Sequence, residues 1–225
     1  PLPAASEFTV RVVNNVTKKY DVQARFLEAF GPEGAPDAFC YKQKVMLLFQ
    51  TLDGVDVCLF CMYVQEYGAD APAPNARTAY LSYLDSVKYF RPEDCVSLAR
   101  PGNLALRTVL YHELLVGYLA WIKARGFLTM YIWACPPLAG DDYILYCHPG
   151  RQKTPRSDRL REWYHAMLRA ARSEGVVRYV SNLYDTFFAG GRDHRLDRPS
   201  ILHLPYFEGD YWPGEAENLL AVLAD

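Results

Sequence analysis

A mixed β-sheet covered by helices on both faces, in the α/β or α+β class, is the fold this sequence predicts. Three observations carry it. The N-terminal half is a succession of strand-like runs, and the C-terminal half alternates helical with short strand-like segments. Hydrophobic residues make up 51% of the 225 residues against 22% charged, an ordinary balance for a soluble globular chain long enough for one sizeable core.

In chain order, Phe8–Asn14 sets Phe8, Val10 and Val12 against Thr9, Arg11 and Val13, the period of an opening strand. Lys44–Leu52 and Val55–Tyr67 flank Asp53-Gly54, a dipeptide that tolerates positive φ and favours a tight hairpin. Gly68 to Asn75 carries Pro72 and Pro74 and must be a loop, and Thr78–Val87 is a further buried strand through Leu84-Asp85-Ser86. Asn103 is placed to cap a long helix with Leu106, Val109, Leu110, Leu114, Tyr118 and Ile122 on one face, stopped by Gly126. Leu128–Cys135 is a compact strand cut off by Pro136-Pro137, and Tyr143–Cys147 is a second short one. Ser157 or Asp158 caps a helix carrying Trp163, Tyr164, Met167 and Leu168 that ends at Gly175; Val176–Val180 can add a strand and Glu215–Ala224 a final helix.

Composition narrows the function. The formal net charge is −2, which argues against direct binding of a nucleic-acid backbone and suits a basic peptide. No apolar run approaches the roughly 20 residues that span a bilayer, and Pro1-Leu2-Pro3-Ala4 lacks the basic n-region of a secretory signal. Cys58 and Cys61 form a CxxC inside the apolar run Val55–Val64, with no second CxxC or suitably spaced His pair, so core thiols are expected rather than a metal site. Nucleotide loops of the GxxxxGK[ST] and GxGxxG types, HExxH and GxSxG are all absent. From the residues alone the reading stops at an α/β domain with 17 tyrosines and an unusual Trp-Ala-Cys-Pro-Pro turn.

That turn is where a specific pattern begins. Tyr131-Ile132-Trp133-Ala134-Cys135-Pro136-Pro137 is followed by Asp141-Asp142-Tyr143-Ile144 and Cys147-His148-Pro149. Val64-Gln65-Glu66-Tyr67-Gly68, Ser82-Tyr83-Leu84-Asp85-Ser86-Val87, Leu106-Arg107-Thr108 with Tyr111-His112-Glu113, Leu160-Arg161-Glu162-Trp163-Tyr164 and Leu204-Pro205-Tyr206-Phe207-Glu208-Gly209-Asp210 stand in the same order. Over essentially its whole length the chain resembles the CREB-binding-protein (CBP) type of histone acetyltransferase catalytic domain. Gln152-Lys153-Thr154-Pro155 and Asp210-Tyr211-Trp212-Pro213-Gly214 resemble its plant-type branch.

The resemblance implies a lysine acetyltransferase using acetyl-CoA, nuclear, monomeric as a catalytic core and without a metal, with histone tails and transcription factors as partners. It implies cofactor contacts from Leu84, Asp85, Ser86, Arg107, Thr108, Thr154, Arg159 and Trp163. Arginine suits phosphate oxygens through charge-assisted hydrogen bonds, and a helix start favours anions. Tyr164 corresponds to the general acid and Trp133 to the residue that aligns the lysine. Tyr111 and Tyr143 would line an apolar tunnel that disfavours the ammonium form. Glu208, with Asp210, would form an acidic patch at the tunnel mouth, and Gln43 would stand in the peptide groove. Residues 1–225 would be the N-terminal major portion of the catalytic domain, ending before a regulatory loop and lacking the C-terminal part. The alternative is a non-catalytic scaffold that binds transcription factors. The four residues Trp133, Arg107, Arg159 and Tyr164, all present, favour the enzyme.

Overall fold

The computed structural model describes residues 7–93, 95–96, 104–138, 144–146, 148–188, 201–210 and 212–224. Five strands form one sheet in the order β1-β2-β3-β4-β5: β1 Phe8–Asp21, β2 Ala38–Leu52, β3 Val55–Tyr67, β4 Thr78–Ser86 and β5 Thr129–Ile132. The first four pair antiparallel, and β4 pairs with β5 in parallel. A parallel pair needs a crossover, which α2 (Leu106–Ala124) supplies after the earlier α1 (Ala24–Phe30); α3 (Ser157–Ser173), α4 (Leu183–Phe187) and α5 (Trp212–Ala224) follow. The mixed sheet with helices agrees with the predicted class.

Strand period two divides the core into two layers. Met46, Leu48, Phe60, Met62, Val64, Ala79 and Leu81 face α2 and α3, where Leu115, Val116, Ile122, Tyr164 and Met167 meet them. Phe39, Tyr41, Tyr67 and Tyr80 face the other way, against Phe26 of α1 and the Tyr206-Phe207 segment. That second layer is almost wholly aromatic: Tyr80 stacks on Phe207 at 4.4 Å and Phe39 on Tyr206 at 5.6 Å. Offset rings of this kind add attraction beyond their buried area.

The Asp53-Gly54 hairpin forms as expected, with φ of 50° and 81° at its two central residues. Gly126 ends α2 at φ 88°. The Lys123 ammonium donates to the carbonyls of Gly175 and Val176 at 2.8 and 3.0 Å, tying the ends of α2 and α3 together.

Helices α1 and α4 were not expected, and several local expectations change: β1 runs on to Asp21, β2 begins at Ala38, β5 is confined to Thr129–Ile132 and α5 begins at Trp212. Helix α1 rests on tertiary packing: it has no side-chain cap, and Phe26 and Phe30 meet at 4.8 Å while Phe26 reaches Tyr206 and Trp212. Val176–Val180 is not a strand; Val176 and Val177 pack into the core, and Asn182 then caps α4 by accepting from the Asp185 N–H at 2.8 Å. Ile144–Tyr146 form a bend where a strand was expected, with Tyr143 and Cys147 outside the described residues. Helix α3 takes Arg156 as its N-cap, placing Ser157 and Asp158 in the first turn, and α2 starts after Ala105, with Asn103 outside the described residues.

Two buried polar groups hold the layers in register. Asn75, 0% exposed, donates to the Tyr206 carbonyl at 2.6 Å and accepts from the Tyr206 N–H at 2.8 Å. Glu66, its side chain 0% exposed, accepts from Tyr118 at 3.0 Å, Arg125 at 2.8 Å and the buried Lys44 ammonium. Arg125 in turn lies over Trp121, its guanidinium carbon 4.3 Å from the ring centre. Burial, then the Glu66 carboxylate, pushes the Tyr118 phenol far above its usual range, so it remains a donor.

Replacing Asn75 with Ala strands two backbone groups of Tyr206, each worth about 1–3 kcal/mol when buried without a partner. Urea unfolding of Asn75→Ala is expected to show a loss of roughly 2–4 kcal/mol on that basis, with Asn75→Asp intermediate; an unchanged midpoint would contradict the clamp.

Candidate active site

The C-terminal ends of the parallel strands β4 and β5 and the N-terminus of α2 lie at one end of the domain, because the crossover returns the chain there. Open α/β sheets bind ligands at such strand ends. Leu84, Asp85 and Ser86 are the last residues of β4, and Trp133 follows β5, its N–H donating to the Leu81 carbonyl at 3.2 Å. Arg107 and Thr108 stand in the first turn of α2, both half-buried. The start of α2 is pinned by a bridge between Val96 and Ala105 and by the Leu106 N–H donating to the Cys95 carbonyl at 2.8 Å.

Helix α3 packs beside α2 and carries Arg159, Trp163 and Tyr164. The Trp163 ring lies edge-on to His112 of α2 at 4.6 Å and to Tyr164 at 5.1 Å. Arg159, exposed, sits one turn before Trp163. Arg107 and Thr108 at the N-terminus of α2, and Arg159 near that of α3, are donors of the kind that phosphate oxygens accept from. Thr154 is exposed in the segment preceding α3.

Expected tunnel residues are distributed differently. Tyr111 is 4% exposed, packs on Phe60 at 5.0 Å and donates to the Leu59 carbonyl at 3.3 Å, so the described residues place it in the core. Burial pushes its phenol well above the usual range, with Arg107 pulling the other way. Tyr164, 6% exposed, belongs to the layer between the sheet and α2–α3. Trp133, 42% exposed, lines a cleft of about 520 Å³ with Tyr80, Ser82, Tyr83, Gly209, Asp210, Gly214, Glu215 and Asn218. By the alternation of β4 and β5 this cleft opens on the opposite face from Tyr164. The described residues therefore bring Trp163 and Tyr164 together but do not bring Tyr164 and Trp133 into one cleft. Tyr143 lies outside them.

The cleft is aromatic and acidic. Glu208 stands behind it: its carboxylate accepts from Tyr41, and its carbonyl accepts from Gln65 at 2.8 Å. Gln43 lies opposite Gln65 in the β2–β3 register and two residues beyond Tyr41, on that same face. Asp210 and Glu215, rather than Glu208, are the carboxylates that line the cleft. Among the described residues no group of three or more His, Cys, Asp or Glu side chains is placed to hold a metal ion.

The family model for the histone acetyltransferase domain KAT3 matches residues 2–225. The chain belongs to the KAT3 histone acetyltransferase domain family. It is 57% identical over 219 residues to histone acetyltransferase HAC1 of Arabidopsis thaliana, covering 97% of this chain and 13% of that protein. It is 55% identical over 222 residues to probable histone acetyltransferase HAC-like 1 of Oryza sativa subsp. japonica, 99% of this chain and 13% of that protein. To protein cbp-1 of Caenorhabditis elegans it is 43% identical over 204 residues, 90% of this chain and 9% of that protein. This KAT3 domain thus spans about an eighth of the two plant relatives, and its likeness to the plant branch agrees with the motifs.

Sequence reasoning missed Tyr80, Ser82, Tyr83, Glu215 and Asn218 as cleft residues. Alternation along Thr78–Ser86 could have grouped Tyr80 with Ser82; only the parallel register Leu81↔Ile132 joins them to Trp133. The CxxC pair lies in the strand as expected, with Cys61 buried and Cys58 half-buried. Burial, and secondarily Cys58 and Asp85, pushes the Cys61 thiol up to about 12. A raised thiol pKa keeps the thiolate scarce, on the order of 10⁻⁴ of the population at pH 8. An iodoacetamide pulse on this KAT3 domain at pH 8 should label the exposed Cys40, Cys95 and Cys135 and spare Cys61. Mass spectrometry showing Cys61 labelled as fast as Cys135 would contradict that burial.

Proposed function

We propose that this KAT3 domain transfers acetyl from acetyl-CoA to lysine side chains of histone tails, as the catalytic core of a nuclear transcriptional coactivator that also meets transcription factors. The match of residues 2–225 to the histone acetyltransferase domain family carries the reading. Residues 1–225 are then the major portion of a catalytic domain. Acetyl-CoA, when bound, supplies the acetyl group as a thioester whose carbonyl needs little further activation.

On the α2–α3 side, Arg107, Thr108 and Arg159 hold phosphate oxygens, and Leu84 and Ser86 at the end of β4, with Trp163 of α3, hold the rest of the cofactor. On the other face, Trp133, Asp210 and Glu215 receive a basic peptide. An indole wall aligns the aliphatic stem of the lysine, while carboxylates attract neighbouring cations; exposed contacts of that kind are individually weak, under about 1 kcal/mol, which suits brief encounters with varied tails. The lysine attacks as the neutral amine, its nitrogen bonding to the acetyl carbon as the carbon–sulfur bond breaks. Tyr164 then gives its phenolic proton to the departing thiolate, a transfer of the kind worth about 10²–10⁴-fold in rate, and the proton that the new amide nitrogen loses, passed through water, restores the phenol. Because Tyr164 and Trp133 belong to opposite faces, this assignment requires the thioester to reach between the ends of β4 and β5.

Tyr164→Phe is expected to lower kcat by about 10²-fold or more while calorimetry finds coenzyme A affinity within two-fold of the parent. Full turnover across the pH range would remove the acid role. Arg107→Ala should weaken coenzyme A binding and flatten its dependence on salt, since one charge contact is lost; unchanged affinity at low salt would dismiss the phosphate assignment. Trp133→Ala, at an exposed position, should shift unfolding by no more than about 0.5 kcal/mol yet raise KM for a histone-tail peptide.

A further inference from the structure

Asp85 was expected to touch the cofactor, but its carboxylate is engaged elsewhere. It is 8% exposed at the end of β4. Oδ1 accepts from the Ser86 N–H at 2.7 Å and from His148 Nε2 at 2.8 Å. Oδ2 accepts from the N–H groups of Ile144 and Leu145 at 3.0 and 2.9 Å. Four donors use the whole acceptor capacity of the group. Three of them come from the chain that follows Trp133 and leads into α3.

A second side chain repeats the arrangement. Gln152 donates to the Ser86 carbonyl at 2.7 Å and accepts from the Lys88 N–H at 2.7 Å. Ile144–Tyr146 form no strand, so the backbone ladder that would normally fix a segment beside a strand end is replaced by one carboxylate and one amide. Each hydrogen bond to a charged acceptor is stronger than a neutral one, and each is half-buried, so the carboxylate is the main anchor.

We propose that Asp85 is a positioning residue rather than a cofactor ligand: it latches the Ile144–Leu145 backbone and His148 to the end of β4, and thereby sets the substrate side of the site. The latch itself rests on geometry; its kinetic consequence rests on the acetyltransferase reading. A residue that contacted coenzyme A would be felt in cofactor affinity. A residue that holds the segment between Trp133 and α3 is felt in the lysine substrate. His148 acts through the same carboxylate, so a neutral donor of similar reach should replace it.

The test uses the chain with three substitutions, Asp85→Asn, His148→Ala and His148→Gln, and two readouts. Hydrogen exchange followed by mass spectrometry reads the amides of Ile144 and Leu145 without any assay of activity; both should exchange at least ten-fold faster in Asp85→Asn and His148→Ala, and near the parent rate in His148→Gln. Steady-state kinetics with acetyl-CoA and a histone-tail peptide should show KM for the peptide raised about ten-fold in Asp85→Asn and His148→Ala, restored in His148→Gln, with coenzyme A affinity by calorimetry within two-fold throughout. Unchanged exchange in Asp85→Asn overturns the latch. A ten-fold loss of coenzyme A affinity with peptide KM unchanged returns Asp85 to the cofactor. A parent chain that exchanges as expected but acetylates nothing leaves the latch standing and refutes the acetyltransferase reading. Should Asp85→Asn fail to fold by circular dichroism, the His148 pair decides alone.

Discussion

The parallel pairing of β4 with β5 is the constraint on which the site depends. Two strands running the same way must be joined by a crossover, and α2 is that crossover. Its N-terminus therefore returns to the end where β4 and β5 finish. Arg107 and Thr108, the Leu84–Ser86 strand end and Trp133 become neighbours of one edge for this reason alone, although they are far apart in the chain. The sheet's other end is held by charge: Glu66 holds Lys44, Arg125 and Tyr118 beside Trp121.

That charge cluster also explains how a helix of weak amphipathic pattern is fixed in place. Breaking a buried ion pair by removing one partner costs about 3–5 kcal/mol, against roughly 0–1 kcal/mol for an exposed pair. Glu66 lies on β3, Tyr118 and Arg125 on and just after α2. The network thus locks the crossover helix to the central strand, while the Lys123 ammonium and the carbonyls beyond α3 lock the second helix to the first. The aromatic layer on the other face, closed by Asn75 and Tyr206, keeps the Glu208–Asp210 segment beside Trp133.

Much of the fold was legible in the sequence. Strand periodicity gave β2, β3 and β4, the Asp53-Gly54 dipeptide gave the hairpin, and Gly126 and Gly175 marked helix ends. Helices α1 and α4 were not legible, since each is short and α1 depends on rings from the far end of the chain. The expected strand at Val176–Val180 failed because two valines reach the core from an irregular segment without a ladder partner. At the site, motifs supplied Arg107, Trp163, Tyr164 and Trp133 as names, but they could not say which face each would occupy. Alternation in β4 and β5 sends Trp133 to one face, and the helical period of α3 turns Tyr164 to the other. Nor could they show that Asp85 spends its carboxylate on backbone donors some sixty residues away.

The central claim is that the cofactor binds at the shared end of β4, β5 and α2. Titrating isotopically labelled chain with coenzyme A and following backbone amide resonances tests it directly. The account predicts perturbations concentrated at Leu84–Ser86, Arg107–Thr108 and Arg159–Trp163. Perturbations confined to the opposite end, around Gly68, Arg77 and Gly126, would contradict it.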